Sequence, residues 1–229
     1  MKRKITLVSG WGAGRGVFER IEKKLSDDFD FGHIPWEKCT GNNGYAAGFI
    51  KSSGKKTIIM GWSLGGLIAM QTSLEIPEMT AGLVLISSTP RMTADDGYEG
   101  APARQIKAMA ARLEKYREGV LESFAEKTFG GNGAAVEKYM EGSAGFEGGE
   151  LKAGLEYLEK TDIRQQLAGI KTPVLIIHGS QDTIIPVSQA RFMNQNIKAS
   201  RMTLVEALHG LPYSMPDAAI EIIRGFKWI

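Results

Sequence analysis

The chain has 229 residues, 43% of them hydrophobic and 24% charged, with a formal net charge of +2 at neutral pH. That length supports one substantial core with room for an inserted subdomain, and the composition excludes a disordered chain. So small a net charge excludes neither partner outright, but it points to neither nucleic acid nor a membrane surface. The opening MKRKITLV begins like a secretory leader, yet its apolar stretch meets Gly10 and Arg15 too early for one, and no run approaches transmembrane length. Cys39 is the only cysteine, so no internal disulfide can form. It reads as a small side chain in a reducing compartment, which predicts a cytoplasmic protein.

In chain order, ITLVSG (5–10) predicts a first strand. An amphipathic helix follows near Gly16–Leu25, with Val17, Phe18, Ile21 and Leu25 on one face. DFGHIPW (30–36) is a weaker strand, and Tyr45–Lys51 a short helix. Thr57-Ile58-Ile59-Met60 is apolar and rich in β-branched residues, the pattern of a buried parallel strand. The next helix carries Leu64, Leu67, Ile68 and Leu74 at helical spacing until Pro77 stops it. AGLVLISST (81–89) is another strand. After a long interval come TPVLIIHG (172–179) and SRMTLVEA (200–207), separated by a helix around Ser188–Gln195. A last helix begins after Pro216, where Asp217 follows the proline, and runs through Ile220, Ile223 and Phe226. Six strands alternating with helices predict an α/β fold, a mostly parallel sheet covered on both faces.

The alternation breaks between Thr89 and about Lys160, where only helical patterns and glycine-rich joints occur. Gln105–Val120 carries Ile106, Met109, Leu113, Tyr116 and Val120 on one stripe, with Arg104, Lys107 and Lys115 roughly opposite. VLESFAEKTF, AAVEKYMEG and LKAGLEYLEK follow. Residues 90–160 are therefore expected to form a helical cap on a core made of 1–89 and 161–229. Such an insertion would lie over the carboxyl ends of the strands, where open α/β sheets bind ligands. A bundle that only thickens the core would show the same Met, Phe and Tyr stripes.

Gly61-Trp62-Ser63-Leu64-Gly65 fits the G-x-S-x-G turn that exposes a serine oxygen between a strand and a helix, and both flanks are present. The small residues at 61, 65 and 66 let strand and helix backbones approach closely. A serine hydroxyl is a weak nucleophile at neutral pH and needs a base. The histidines are His33, His178 and His209. In hydrolases built on this turn the order is serine, acid, histidine, which favours His209, on the loop after the last strand. His178 reads instead as a strand-end residue that packs or shapes the next loop. Asp182, on the loop leaving LIIHG, is placed to orient His209 and stabilise its imidazolium; capping the next helix would be its alternative role. Asp162 in EKTDIRQQL reads as a helix N-cap. An oxyanion hole needs two backbone N–H groups, expected from Leu64 and from Trp11 in SGWGAG. The Trp11 indole can also wall an acyl pocket. No motif calls for a metal or a cofactor.

With those residues in place the chain resembles the α/β-hydrolase superfamily over nearly its full length. More narrowly it resembles the carboxylesterases that demethylate pimeloyl-acyl-carrier-protein methyl ester in biotin synthesis. The matching stretches are GWG, GWSLGG, LISSTP, GLEYLEKTDIRQQL, TPVLIIHGSQDTIIP and ALHGLP. The resemblance implies Ser63, Asp182 and His209 as the catalytic triad, Trp11 and Leu64 as oxyanion donors, and Phe124 as a cap contact to the substrate. It also implies an ester carried on acyl-carrier protein. Two stretches depart from the family: IPWEKCTGNNG replaces the usual glycine-rich loop after the second strand, and GVLESF lacks the arginines that bind carrier protein. Arg112, Lys115, Arg117 and Lys138 are the substitutes on offer, although a solvated helix face accounts for them equally. A general short-chain esterase, a thioesterase or a small-molecule-binding module on this fold are the alternatives.

Overall fold

The computed structural model describes residues 2–42 and 44–228. The strands are β1 (Arg3–Val8), β2 (Phe29–Ile34), β3 (Thr57–Trp62), β4 (Thr80–Ile86), β5 (Val174–Gly179) and β6 (Ser200–Val205). They form one sheet in the order β2-β1-β3-β4-β5-β6, with every pairing parallel. β3 and β5 are buried at every position, as their unbroken apolar sequences require between two helical layers. Of the edge strands, β2 is buried only at its two ends and β6 at no position, and they carry the exposed Asp30 and Arg201. This is the α/β-hydrolase fold.

Helices α1 (Glu19–Leu25), α2 (Trp36–Thr40), α3 (Tyr45–Ser52) and α4 (Leu64–Glu75) link the first four strands. Phe18, Ile21 and Leu25 are buried as the sequence pattern requires, although Phe18 belongs to a 3₁₀ turn that precedes α1. The first and fourth strands end earlier than their apolar runs. Ser9 and Gly10 have left the ladder, and so have Ser87, Ser88 and Thr89. Hydrophobicity cannot mark that exit, because these loop residues are themselves buried. α2 was invisible in the sequence, being little more than one turn long.

Three helices fall between β4 and β5: α5 (Ala103–Phe129), α6 (Gly133–Ser143) and α7 (Gly148–Lys160). α5 runs through the segment that reads as two helices, but it bends at Tyr116, whose φ of −138° and ψ of 44° are not helical. That bend resets the phase of the helix. Tyr116, expected on the buried stripe, is 64% exposed, while Ile106 and Leu113 before it and Val120, Leu121 and Ala125 after it face inward. α6 starts at Asn132, whose side chain accepts the Ala135 N–H, and α7 starts with a reciprocal Glu147–Glu150 capping box. Against the core, α7 makes its close approach at Gly154, where a β-carbon would strike the rings of Trp11 and Trp36. The chain ends with α8 (Val187–Asn196), α9 (Leu211–Ser214) and α10 (Pro216–Gly225). Among the described residues no helix is long and apolar enough to cross a membrane.

Candidate active site

The turn from β3 into α4 holds Ser63 at φ 54° and ψ −120°, a conformation that L-residues avoid. Such strain costs on the order of 1–3 kcal/mol and persists only where neighbours over-determine it. Here the Ser63 N–H donates to the Ile86 carbonyl at 3.0 Å, and the Ser88 hydroxyl donates to the Ser63 carbonyl at 2.9 Å. The flanking glycines are required by contact. A β-carbon at Gly61 would strike the Gly65 backbone, and one at Gly65 would strike the carbonyls of Val8 and Ser9. The elbow is therefore wedged between β1 and β4, with its hydroxyl aimed at the carboxyl edge of the sheet.

Two loops at that edge complete the arrangement. The Ser63 hydroxyl lies 3.0 Å from His209 Nε2, and His209 Nδ1 lies 2.8 Å from Asp182 Oδ2. With the Nδ1–H tautomer, which the carboxylate selects, His209 donates to Asp182 and accepts from Ser63. The other Asp182 oxygen accepts the N–H groups of Ile184 and Ile185, each at 2.9 Å. Burial alone would raise the Asp182 carboxyl's pKa. The charge and hydrogen bond of His209, with smaller help from His178 and the Ile185 N–H, outweigh it and hold the carboxyl below its usual range. Asp182 is therefore an anion that orients an imidazole. Ser63 is 7% exposed and His209 fully buried, so the group is shielded from bulk water.

The remaining candidates fall elsewhere. His178 sits at the end of β5, and its Nε2 donates to the Ile185 carbonyl at 2.9 Å. Burial lowers its pKa, so it stays neutral and braces the loop that presents Asp182. His33 lies on the edge strand β2, away from Ser63. Asp162 accepts the Arg164 N–H at 3.1 Å, at the start of a 3₁₀ turn, and pairs with the guanidiniums of Arg91 and Arg164.

Gly10 brings the loop after β1 against the elbow: a β-carbon there would lie 3.2 Å from that of Ser63. The next N–H, that of Trp11, has no hydrogen-bond acceptor among the described residues, and neither has that of Leu64 in the first turn of α4. The Trp11 indole is fully inside, and its Nε1–H donates to the Leu151 carbonyl of α7 at 2.7 Å. Phe124 of α5 meets the Trp11 ring edge-on at 5.1 Å and the His209 ring at 6.4 Å. Trp11, Phe124 and the His209 ring thus pack together at the edge that holds Ser63.

Two contacts at the site have no signal in the sequence. Trp62 Nε1–H donates to the His209 carbonyl at 2.9 Å, tying the histidine loop to the residue before the serine. The Gly210 N–H donates to the Thr128 carbonyl at 3.0 Å, tying the same loop to α5. Both partners are remote in the chain, so no local pattern announces them. The four basic residues offered as carrier contacts differ in their surroundings. The Arg117 guanidinium is engaged by the carbonyls of Ser143 and Phe146, each at 2.8 Å, and Lys138 pairs with Glu19 at 2.6 Å. Arg112 and Lys115 remain exposed on α5. In the altered loop after β2, α2 sets Trp36 against Phe146 at 5.1 Å, while Asn43 of that stretch lies outside the described residues.

Known proteins resemble this chain in sequence and in fold. The pimeloyl-[acyl-carrier protein] methyl ester esterase of Pectobacterium carotovorum is 26% identical over 237 residues, spanning 97% of this chain and 93% of its own. The protein of the same name from Neisseria meningitidis serogroup B is 27% identical over 238 residues, spanning 98% of this chain and 92% of its own. An esterase from Exiguobacterium antarcticum shares the fold with a TM-score of 0.87 at 21% identity, covering 97% of this chain and 90% of that one. The family described as serine aminopeptidase, S33, matches residues 48–211, a span that holds Ser63, Asp182 and His209. The chain belongs to that family of hydrolases.

Proposed function

We propose that this protein is a serine carboxylesterase that hydrolyses the methyl ester of a medium-chain acyl group, pimeloyl, carried on acyl-carrier protein in biotin synthesis. The observation that carries the reading is the unbroken hydrogen-bond chain from Ser63 through His209 to Asp182, set beside two unpartnered backbone N–H groups. The relatives' names supply the substrate, and its carrier implies a cytoplasmic enzyme. Residues 90–160 act as the cap, and 1–89 with 161–229 as the hydrolase core.

Ser63 Oγ attacks the ester carbonyl while His209 Nε2 takes its proton. The carbonyl electron pair moves to oxygen, where the N–H groups of Trp11 and Leu64 hold it; one such donor is worth about 10²–10³ in kcat. Collapse expels methanol, which receives the proton from His209, and leaves an acyl-serine. Water, deprotonated by His209, attacks that acyl group, and the bond to Ser63 Oγ breaks as His209 returns the proton to that oxygen, which releases the free acid. Asp182 stays ionised throughout and stabilises each imidazolium.

The family's description as aminopeptidases raises peptide cleavage as a competitor. An aminopeptidase must hold its substrate's α-ammonium, a task for a carboxylate near the serine. Asp182 is the carboxylate bonded into this site, and His209 and two N–H groups already engage it. The aromatic rings of Trp11 and Phe124 favour an acyl chain. The test compares a carrier-linked pimeloyl methyl ester, a p-nitrophenyl ester and an aminoacyl p-nitroanilide, together with growth of a biotin auxotroph lacking the esterase step. Turnover of the carrier-linked ester with rescue of growth is expected. Turnover of the p-nitrophenyl ester alone would reduce the reading to a general short-chain esterase. Preference for the anilide would replace it, and inertness toward all three would leave a binding module.

A further inference from the structure

The loop that presents the Trp11 N–H is held by the inserted helices. Gly10, Trp11, Gly12 and Ala13 form a tight turn, in which the Ala13 N–H donates to the Gly10 carbonyl at 3.1 Å and Gly12 has a φ of 67°. In such a turn the middle peptide has two orientations related by a rotation of about half a turn, and glycine in third place opposes neither. Rotation would reverse the Trp11 carbonyl, through ψ of Trp11 and φ of Gly12, and would release Trp11 from its held place beside the elbow. The Ser9 hydroxyl holds the end of the turn, donating to the Ala13 carbonyl at 2.7 Å. Among the described residues the side chain bonded to the Trp11 carbonyl is that of Tyr139, on α6, whose hydroxyl donates at 3.0 Å. Tyr139 and Trp11 are buried, at 6% and 1% exposure. Burial raises the phenol's pKa well above its ordinary range, so it remains a donor at every working pH.

We propose that Tyr139 is a positioning residue for oxyanion stabilisation: by holding the Trp11 carbonyl it fixes the turn and keeps the Trp11 N–H aimed at the space beside Ser63. It acts through Trp11 and touches no reacting atom. The inference rests on Ser63 being the nucleophile, as proposed above. A purely packing role would belong to the ring, which lies 6.1 Å from Phe124 and 6.0 Å from Phe129, and phenylalanine would fill it. The hydroxyl is the part of the side chain that hydrogen-bonds the oxyanion loop.

The experiment is Tyr139→Phe, measured with a p-nitrophenyl ester and with two inhibitors of matched chain length. One is an alkyl trifluoromethyl ketone, to whose carbonyl carbon Ser63 Oγ bonds while the carbonyl pair becomes an oxyanion and the serine proton passes to His209. The other is the corresponding amide, which binds without reacting. Loss of a positioned donor predicts a fall in kcat of about 10- to 100-fold with KM within about twofold. Affinity for the ketone should fall by the same factor, and affinity for the amide should not change. Replacing Tyr139 by p-aminophenylalanine returns a donor and should restore most of kcat, and it serves as the test if the phenylalanine variant does not fold. Unchanged kcat and ketone affinity in a folded Tyr139→Phe protein would overturn the inference. So would equal losses on ketone and amide, or a folded p-aminophenylalanine variant that recovers nothing. A Ser63→Ala control that kept esterase activity would instead remove the nucleophile assignment, a separate failure.

Discussion

Ser63, Asp182 and His209 stand on loops that leave β3, β5 and β6 at one edge of the sheet, whereas Phe124, Tyr139 and Leu151 reach the same space from α5, α6 and α7. The first group is gathered by a rule. In a parallel sheet every strand ends at the same edge, so residues just beyond three strands converge wherever they lie in the sequence. The second group is gathered by docking. Its helices are amphipathic in an ordinary way, and which inward residue meets which loop depends on a bend at Tyr116 and a close approach at Gly154. A chemistry residue on a strand end is therefore legible one motif at a time. A residue that supports it from an insertion is not.

The largest effect should come from the sheet side. Ser63→Ala should lower kcat about a thousandfold or more and leave the fold intact, since alanine carries the same β-carbon and brings no added bulk into the turn. Esterase assays with circular dichroism check this, and retention of more than about a tenth of the activity would unseat Ser63. His209→Ala should do similar damage, and the double variant little more, because groups that act as a unit are not additive.

Trp62→Phe sharpens the comparison, because the bond it removes joins the elbow to the histidine loop. A buried carbonyl left without its donor costs about 1–3 kcal/mol. Where that cost appears is the informative part: thermal unfolding should drop, and kcat should fall about tenfold through misplacement of His209. A loss of stability with kcat unchanged would show that Asp182 alone holds the imidazole.

On the cap side, Arg112 and Lys115 are both exposed on α5, and reversing both to glutamate should slow a carrier-linked ester severalfold while leaving a small free ester unaffected. Salt should mimic the reversal, because the Debye length shrinks to about 3 Å at 1 M. Arg117→Ala is the contrasting change: it releases the carbonyls of Ser143 and Phe146 and should lower the melting temperature, affecting both substrates alike. Equal behaviour of the two variants would mean that α5 has no docking face.

The smallest effect concerns the join between core and insertion. Asp162 is held to about 2, first by its hydrogen bond from Arg164, and against the opposing pull of partial burial. The unfolded carboxyl titrates near pH 4. A depressed carboxylate adds stability above the unfolded value and loses it as pH falls, so this contribution disappears between about pH 4 and about 2. Asp162→Asn should therefore flatten part of the acid limb of a stability–pH curve and change nothing near neutrality beyond a constant offset. An acid limb of unchanged slope would mean that the Arg91–Asp162–Arg164 group contributes no net stability.

By itself the sequence determined the six parallel strands, the helical interval between the fourth and fifth, and the identity of the serine, the acid and the histidine brought together at the sheet edge. These rest on local chemistry: apolar runs that must be buried, a glycine-flanked corner, and the chain order of three residue types. Only the tertiary structure decided that Trp62 anchors the histidine loop, that Tyr139 and Leu151 clamp Trp11, and that Arg117 and Lys138 are engaged while Arg112 and Lys115 are exposed. Those contacts join residues remote in the chain, through hydrogen bonds to backbone carbonyls or pairs between surface charges. Every residue carries the same carbonyl, so no side-chain pattern records which one will be met.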